Sequence, residues 1–133
     1  MPNDRKEKMT MKAKPDERHA GAQKVVFLCF TEPVSLSPEE MRPHLDAHKA
    51  WLAEMESCSV LFLAGPMLDE NYRFSGSGLF VLRADSLQEA ACVADADPFH
   101  ANGIRKYKLV PWQINEGSMD IRVTLSNGEF TLV

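Results

Sequence analysis

Four apolar, β-rich runs broken by two capped helical patterns, in the order strand-helix-strand-strand-helix-strand, constrain this chain more than any other feature. The runs are KVVFLCF (24–30), VLFLAGP (60–66), GLFVLRA (78–84) and RKYKLVPWQI (105–114). Each has the length of a strand, and the first is continuously apolar rather than alternating, which implies cover on both faces. Gly65-Pro66 stops the second run. Pro111 cannot donate to a ladder, so the fourth run ends at a sheet edge or in a bulge.

The helical signals lie between the runs. Ser37, Pro38 and Glu40 read as a capping box with proline at the first helical position. Pro43 then kinks or restarts the helix. From Met41 the apolar positions are Met41, Leu45, Leu52 and Met55, the spacing of a core-facing stripe. Ser86 opens a second capping box with Glu89, and Leu87, Ala90, Ala91 and Ala94 form a stripe small enough to approach a sheet closely. Two helices and four strands in this order predict an α+β domain of ferredoxin-like split β-α-β (βαββαβ) form.

The flanks are of a different kind. Residues 1–23 carry many charges, two prolines and little to bury, the composition of a disordered tail, and His19 within them has no assigned role. Residues 24–114 hold the domain, and residues 115–133 read as a C-terminal β-hairpin extension. There Asn127-Gly128 suggests a type I′ turn, which would set Leu125 opposite Phe130, Thr124 opposite Thr131 and Val123 opposite Leu132.

A net charge of −4 leaves no basic footprint for nucleic acid or an anionic membrane. No apolar run approaches the roughly 20 residues of a membrane span, and no apolar segment of a secretory signal is present. Cys29, Cys58 and Cys92 have neither zinc-site nor redox spacing, so they read as reduced, buried structural thiols of a cytoplasmic protein.

Chemistry concentrates on two positions. At about 100° per residue, His48 falls on the apolar stripe between Leu45 and Leu52, while Asp46 points away. A lone histidine on such a face reads as a satisfied core residue as readily as a functional one. His44 and His48 have the i, i+4 spacing of a metal pair but no third ligand nearby, so no metal is expected. Asp97 precedes Pro98 and suits the N-cap of a short turn closed by Gly103, with His100 exposed on it. One carboxylate oxygen would cap, and the other would remain free to accept from an imidazole. Both helices of a split β-α-β cover the same sheet face, which lets His48 and Asp97 converge. A carboxylate on one ring nitrogen fixes the tautomer and makes the other the better base.

The stretches AHKAWL, LFLAGPMLDE, SGSGLFVLRADSLQEA, ADADPFHANGI and KLVPW, in order from Lys24 to Trp112, resemble the YciI-like (YCII) family of small dimeric α+β barrel proteins. The resemblance implies that the family's histidine and aspartate fall on His48 and Asp97 in a cleft, and its Gly-Ser on Gly76 and Ser77. The activities it implies are lyase-like, including dehydrochlorination of a chlorinated hydroxyquinol, on a fold shared with muconolactone isomerases. The expected function is a cofactor-independent lyase or isomerase acting on a small polar ring or a halogenated or hydroxy-acid substrate. His48 would serve as general base or acid and Asp97 as its orienter, with Ser77 and the backbone at Gly76 holding a substrate oxygen. The other reading is a non-catalytic module that binds a small metabolite or a protein in the same cleft. Apolar strands covered by helices on one face only also predict a homodimer, sheet against sheet.

Overall fold

The computed structural model describes residues 25–35 and 37–132. The tail expected over residues 1–23 lies outside the described residues, as does Lys24 at the head of the first run. The elements are β1 (Val25–Pro33), α1 (Pro38–Met41), a 3₁₀ turn (Arg42–His44), α2 (Leu45–Ser57), β2 (Leu61–Leu68) and β3 (Phe74–Leu82). They continue with α3 (Leu87–Asp95), α4 (Pro98–Ala101), β4 (Arg105–Gln113), β5 (Ile121–Thr124) and β6 (Glu129–Leu132). The four long strands form one sheet in the order β2-β3-β1-β4, every neighbouring pair antiparallel. That order is the split β-α-β arrangement expected of the sequence.

Strand alternation divides the sheet into two faces. Phe27 pairs with Leu82 and Pro111, and Cys29 with Phe80 and Leu109. Phe27, Cys29, Phe80 and Leu82 join Trp51, Ala90 and Ala94 in the core, so odd-numbered β1 residues meet the helices. Ala90 and Ala94 of α3 are wholly buried, which is how a short helix sits close to the sheet. Leu87, expected in that stripe, is 48% exposed in the first turn of α3.

The first helical segment departs from its simple reading. Pro38 and Pro43 divide it into one α-turn, a 3₁₀ turn and then α2. The 3₁₀ turn has about 3.0 residues per turn instead of 3.6, so a stripe phased from Met41 is rotated out of register beyond it. The buried residue of α2 is therefore Trp51, while Leu45 is 38% exposed. The capping box at Ser37 is not made: its side chain caps nothing, and its N–H instead donates to Ser35 Oγ at 3.3 Å. Ser86 does cap, accepting the Glu89 N–H at 3.0 Å, and Glu89 reaches back to the Asp85 N–H at 3.1 Å.

Pro66 and Pro111 lie on the two edge strands, where a missing donor costs no ladder bond, and Pro33 stands at the very end of β1. β2 therefore runs on through Gly65-Pro66 to Leu68, with register shifts beside Leu63 and Leu68, rather than stopping at Gly65. The hairpin is also corrected. Thr124 pairs with Glu129, Val123 with Phe130 and Arg122 with Thr131, around a four-residue loop from Leu125 to Gly128. Asn127 is not in the left-handed region, as type I′ would require of it; only Gly128 is, at φ +70°. The Gly128 N–H donates to the Thr124 carbonyl at 2.9 Å, and Asn127 Oδ1 accepts the Glu129 N–H at 3.0 Å. These bonds close a wider loop and leave Leu125 in it, 91% exposed.

The two serines separate a working cap from a sequence-only one. Ser86→Ala is expected to lower unfolding free energy by about 0.5–2 kcal/mol. Ser37→Ala is expected to stay within about 0.5 kcal/mol of the parent. Urea denaturation of both variants checks the pair.

Candidate functional site

α2 and α4 cross the same end of the sheet, and that crossing brings His48 to Asp97. Asp97 caps the single turn of α4: its Oδ1 accepts the Phe99 N–H at 2.9 Å, with Pro98 at the first helical position. The same oxygen lies 2.8 Å from His48 Nδ1. One oxygen therefore does both jobs, where the sequence suggested one for each. Oδ2 is buried and has no hydrogen-bond partner among the described residues, with His100 Nδ1 4.0 Å away.

Asp97 is wholly buried, whereas the His48 side chain keeps 18% of its surface. The carboxylate beside Nδ1 places the proton there, which leaves the Nε2 lone pair available. The ring stacks on Phe99 with centroids 4.3 Å apart. The Trp51 ring lies near it as well, with centroids 6.4 Å apart. Aromatic packing and one charged hydrogen bond thus hold the imidazole in a single pose.

His48 lines a cleft of about 550 Å³ between α2 and the sheet. Its walls are mostly apolar, with Leu45, Leu52, Phe74 and Phe80 among them, and Lys49, Thr31, Ser77 and Arg105 are its other polar lining residues. Gly78 forms part of the floor, where a Cβ would lie 3.4 Å from Thr31 Cγ2 and 3.6 Å from the Gly65 carbonyl. Ser77 borders the cleft too, but strand alternation sets it with Leu79 and Val81, on the face away from the helices. It also lines a second cavity of about 360 Å³ together with Phe30 and Lys108. Gly76 takes φ +97°, and its carbonyl accepts from Arg105 Nη2 at 2.9 Å.

Behind the pair runs a chain that sequence reasoning missed. The His100 side chain is 3% exposed rather than standing in solvent. Its Nδ1 donates to the Ala94 carbonyl at 2.7 Å, which makes Nε2 an acceptor for the Thr31 hydroxyl at 2.8 Å. Thr31 in turn accepts from Arg105 Nε at 3.0 Å. The clue in the sequence is parity: Thr31 continues the helix-facing positions 25, 27 and 29 of β1, and Arg105 leads those of β4. His44 ends the 3₁₀ turn, and among the described residues no three potential metal ligands gather.

Of the cysteines, Cys29 is buried but Cys58 and Cys92 are exposed, which corrects the expectation for two of the three. Burial, reinforced by the Asp97 charge, pushes the Cys29 thiol up to about 12, so it is no nucleophile near neutral pH.

An α+β domain of split β-α-β order with an apolar cleft beside a His-Asp pair is the class of protein that fold and site define. The chain belongs to the YCII-related domain family, whose model matches residues 24–113. It is similar to "Uncharacterized protein YjpA" of Bacillus subtilis (strain 168), 30% identical over 73 residues that span 55% of this chain and 80% of that protein. Its fold is similar to that of a solved structure, the 5-chloro-2-hydroxyhydroquinone dehydrochlorinase TftG from Burkholderia phenoliruptrix AC1100 in complex with 2,5-dihydroxybenzoquinone. That match has a TM-score of 0.54 at 20% identity and covers 66% of this chain and 93% of the other. Among the described residues no helix is long and apolar enough to cross a membrane.

Two outcomes follow from the site's construction. Asp97→Asn retains a capping oxygen and is expected to remain folded, whereas Asp97→Ala loses about 0.5–2 kcal/mol from the cap alone, measured by chemical denaturation. Burial pushes the His100 imidazole below its ordinary 6.5, against the raising pull of the Ala94 carbonyl and Asp97. The unfolded chain takes up that proton near its ordinary value while the fold refuses it. The contribution of His100 is therefore complete above that value and is lost as pH falls toward the lowered folded one. His100→Gln should flatten the decline in stability between roughly pH 7 and 5, read from denaturation midpoints across that range.

Proposed function

We propose that this protein is a cofactor-independent lyase or isomerase that moves a proton on a small polar ring or a halogenated or hydroxy-acid substrate. The hydrogen bond from His48 Nδ1 to the buried Asp97 carboxylate carries the reading. It sets the tautomer, orients the ring, and leaves Nε2 as the free acid-base atom of a residue that lines the cleft. His48 is the general base or acid in this proposal, and Asp97 is its positioning residue. Ser77, expected to hold a substrate oxygen, reaches this cleft only at its rim because strand alternation turns it to the opposite face, so the proposal rests on His48 and Asp97. The fold of TftG, a dehydrochlorinase that binds a small quinone, supports the class of reaction. Its substrate is not carried over by fold alone.

The proposal includes a cytoplasmic homodimer. On the sheet face away from the helices, Leu63, Trp112 and Phe30 are 54%, 47% and 37% exposed. Ile121, Val123 and Phe130 of the hairpin add further apolar surface, more than a soluble monomer usually leaves uncovered. A second copy packed sheet to sheet would cover it, with the hairpin extending the contact.

Turnover is the test. In a screen of chlorinated hydroxyquinols, lactones and halogenated acids, His48→Ala should reduce the rate by about 10²–10⁴-fold without loss of ligand binding. Asp97→Asn should fold normally and turn over more slowly. Full activity in His48→Ala would overturn the assignment, and ligand binding without turnover of any compound would favour a binding module. Light scattering at micromolar concentration should give about twice the 14.9 kDa chain mass, and a clean monomer would overturn the dimer.

A further inference from the structure

Arg105 is 7% exposed at the start of β4, yet no carboxylate lies within ion-pair distance of it among the described residues. Its bonds go to neutral acceptors: Nε to Thr31 Oγ1, and Nη2 to the carbonyls of Thr31 and Gly76, each at 2.9–3.0 Å. The nearest acidic influences are Asp97, already bonded to His48, and Glu32, already paired with Lys106 at 3.3 Å. A guanidinium sequestered in this way lacks the compensation that buried charges usually find.

The remaining donors identify where that compensation enters. Nη1 has no hydrogen-bond partner among the described residues, and it is not among the atoms sealed from solvent. Arg105 lines the His48 cleft and not the second cavity, and Nη1 is the nitrogen it has left to offer a ligand there. The group is also held in advance. His100 Nε2 must accept, so the Thr31 hydroxyl must donate to it, and Thr31 Oγ1 is left as the acceptor for Arg105 Nε. A rigid, permanently charged fork in an apolar cleft is suited to an anionic oxygen.

We infer that Arg105 is an anion-binding residue of the cleft and selects small ring compounds that carry an anionic oxygen, carboxylate or ring enolate. The inference rests on the cleft being a ligand site, as proposed above, but not on catalysis there. In that arrangement His48 Nε2 addresses the uncharged part of the ring while Nη1 holds the oxygen. Lys49, the other cation on the cleft wall, is an exposed helix residue and adds charge without a fixed direction.

Calorimetry with two matched pairs tests this. Benzoate against benzamide probes a carboxylate, and 2,5-dihydroxybenzoquinone, ionised at neutral pH, against 2,5-dimethoxybenzoquinone probes a ring oxygen. At least one anion should bind about tenfold or more tightly than its neutral twin, the scale of one charge-assisted hydrogen bond. Which pair shows the difference identifies the kind of oxygen. Arg105→Gln should abolish the preference, bringing the anion's affinity to that of its neutral twin. Should that variant fail to fold, the wild-type protein still decides, because the Arg105 side-chain nitrogen-proton resonance should move on titration with the anion and not with its twin. Binding of neither anion, equal binding of both twins, or an unmoved Arg105 resonance would overturn the inference. His48→Ala should keep the anion preference, so loss of turnover without loss of selectivity separates this inference from the acid-base proposal.

Discussion

The buried carboxylate of Asp97 is the constraint around which this end of the molecule is organised. A wholly buried anion needs compensation from donors, and here Oδ1 is met twice, by the Phe99 amide and by His48 Nδ1, while Oδ2 has only His100 Nδ1 at 4.0 Å. The first contact starts α4 and turns the chain from α3 into β4. The second ties α2, forty-nine residues earlier, to that turn. Because a single oxygen serves both contacts, the pose of the imidazole and the path of the backbone are coupled. A change that moves the cap also moves the ring.

The helix-facing side of the sheet is built to support that arrangement. Phe27, Cys29, Phe80 and Leu82 supply an apolar platform, and the small alanines of α3 let it approach closely. Where β1 and β4 run beyond this platform, the same face turns polar, with Thr31 and Arg105 bonded to each other and to His100. Apolar packing sets the positions of the helices, and the polar chain then fixes the direction of each donor. The aromatic rings of Phe99 and Trp51 lie near His48 between the two regions. The cleft therefore has one oriented imidazole and one fixed cation within a mainly apolar wall.

Much of this was legible in the chain. Short apolar runs, the Ser86 box and Pro111 define the strand-helix order, because each depends on a short local pattern with a known backbone consequence. Asp97 as an N-cap is legible for the same reason. The failures are also physical. At Ser37 the motif is present, but two prolines break the segment into turns too short to use it. At Asn127-Gly128 the pair is right for a tight turn, yet Asn127 keeps a negative φ and the loop widens to four residues.

Sequence by itself determined the elements, their order, and that a histidine and an aspartate would lie on helices covering one face. These follow from interactions spanning a few residues, such as caps, turn preferences and periodicity. Only the tertiary structure decided that one carboxylate oxygen would serve both the cap and His48, that Trp51 rather than Leu45 would be buried, and that His100 would be enclosed. It alone brought Thr31 and Arg105 together across seventy-four positions to leave a guanidinium in the cleft. Contacts of that separation depend on the exact rotation of each helix and the register of each strand. Local propensity leaves both undetermined until the sheet and helices pack.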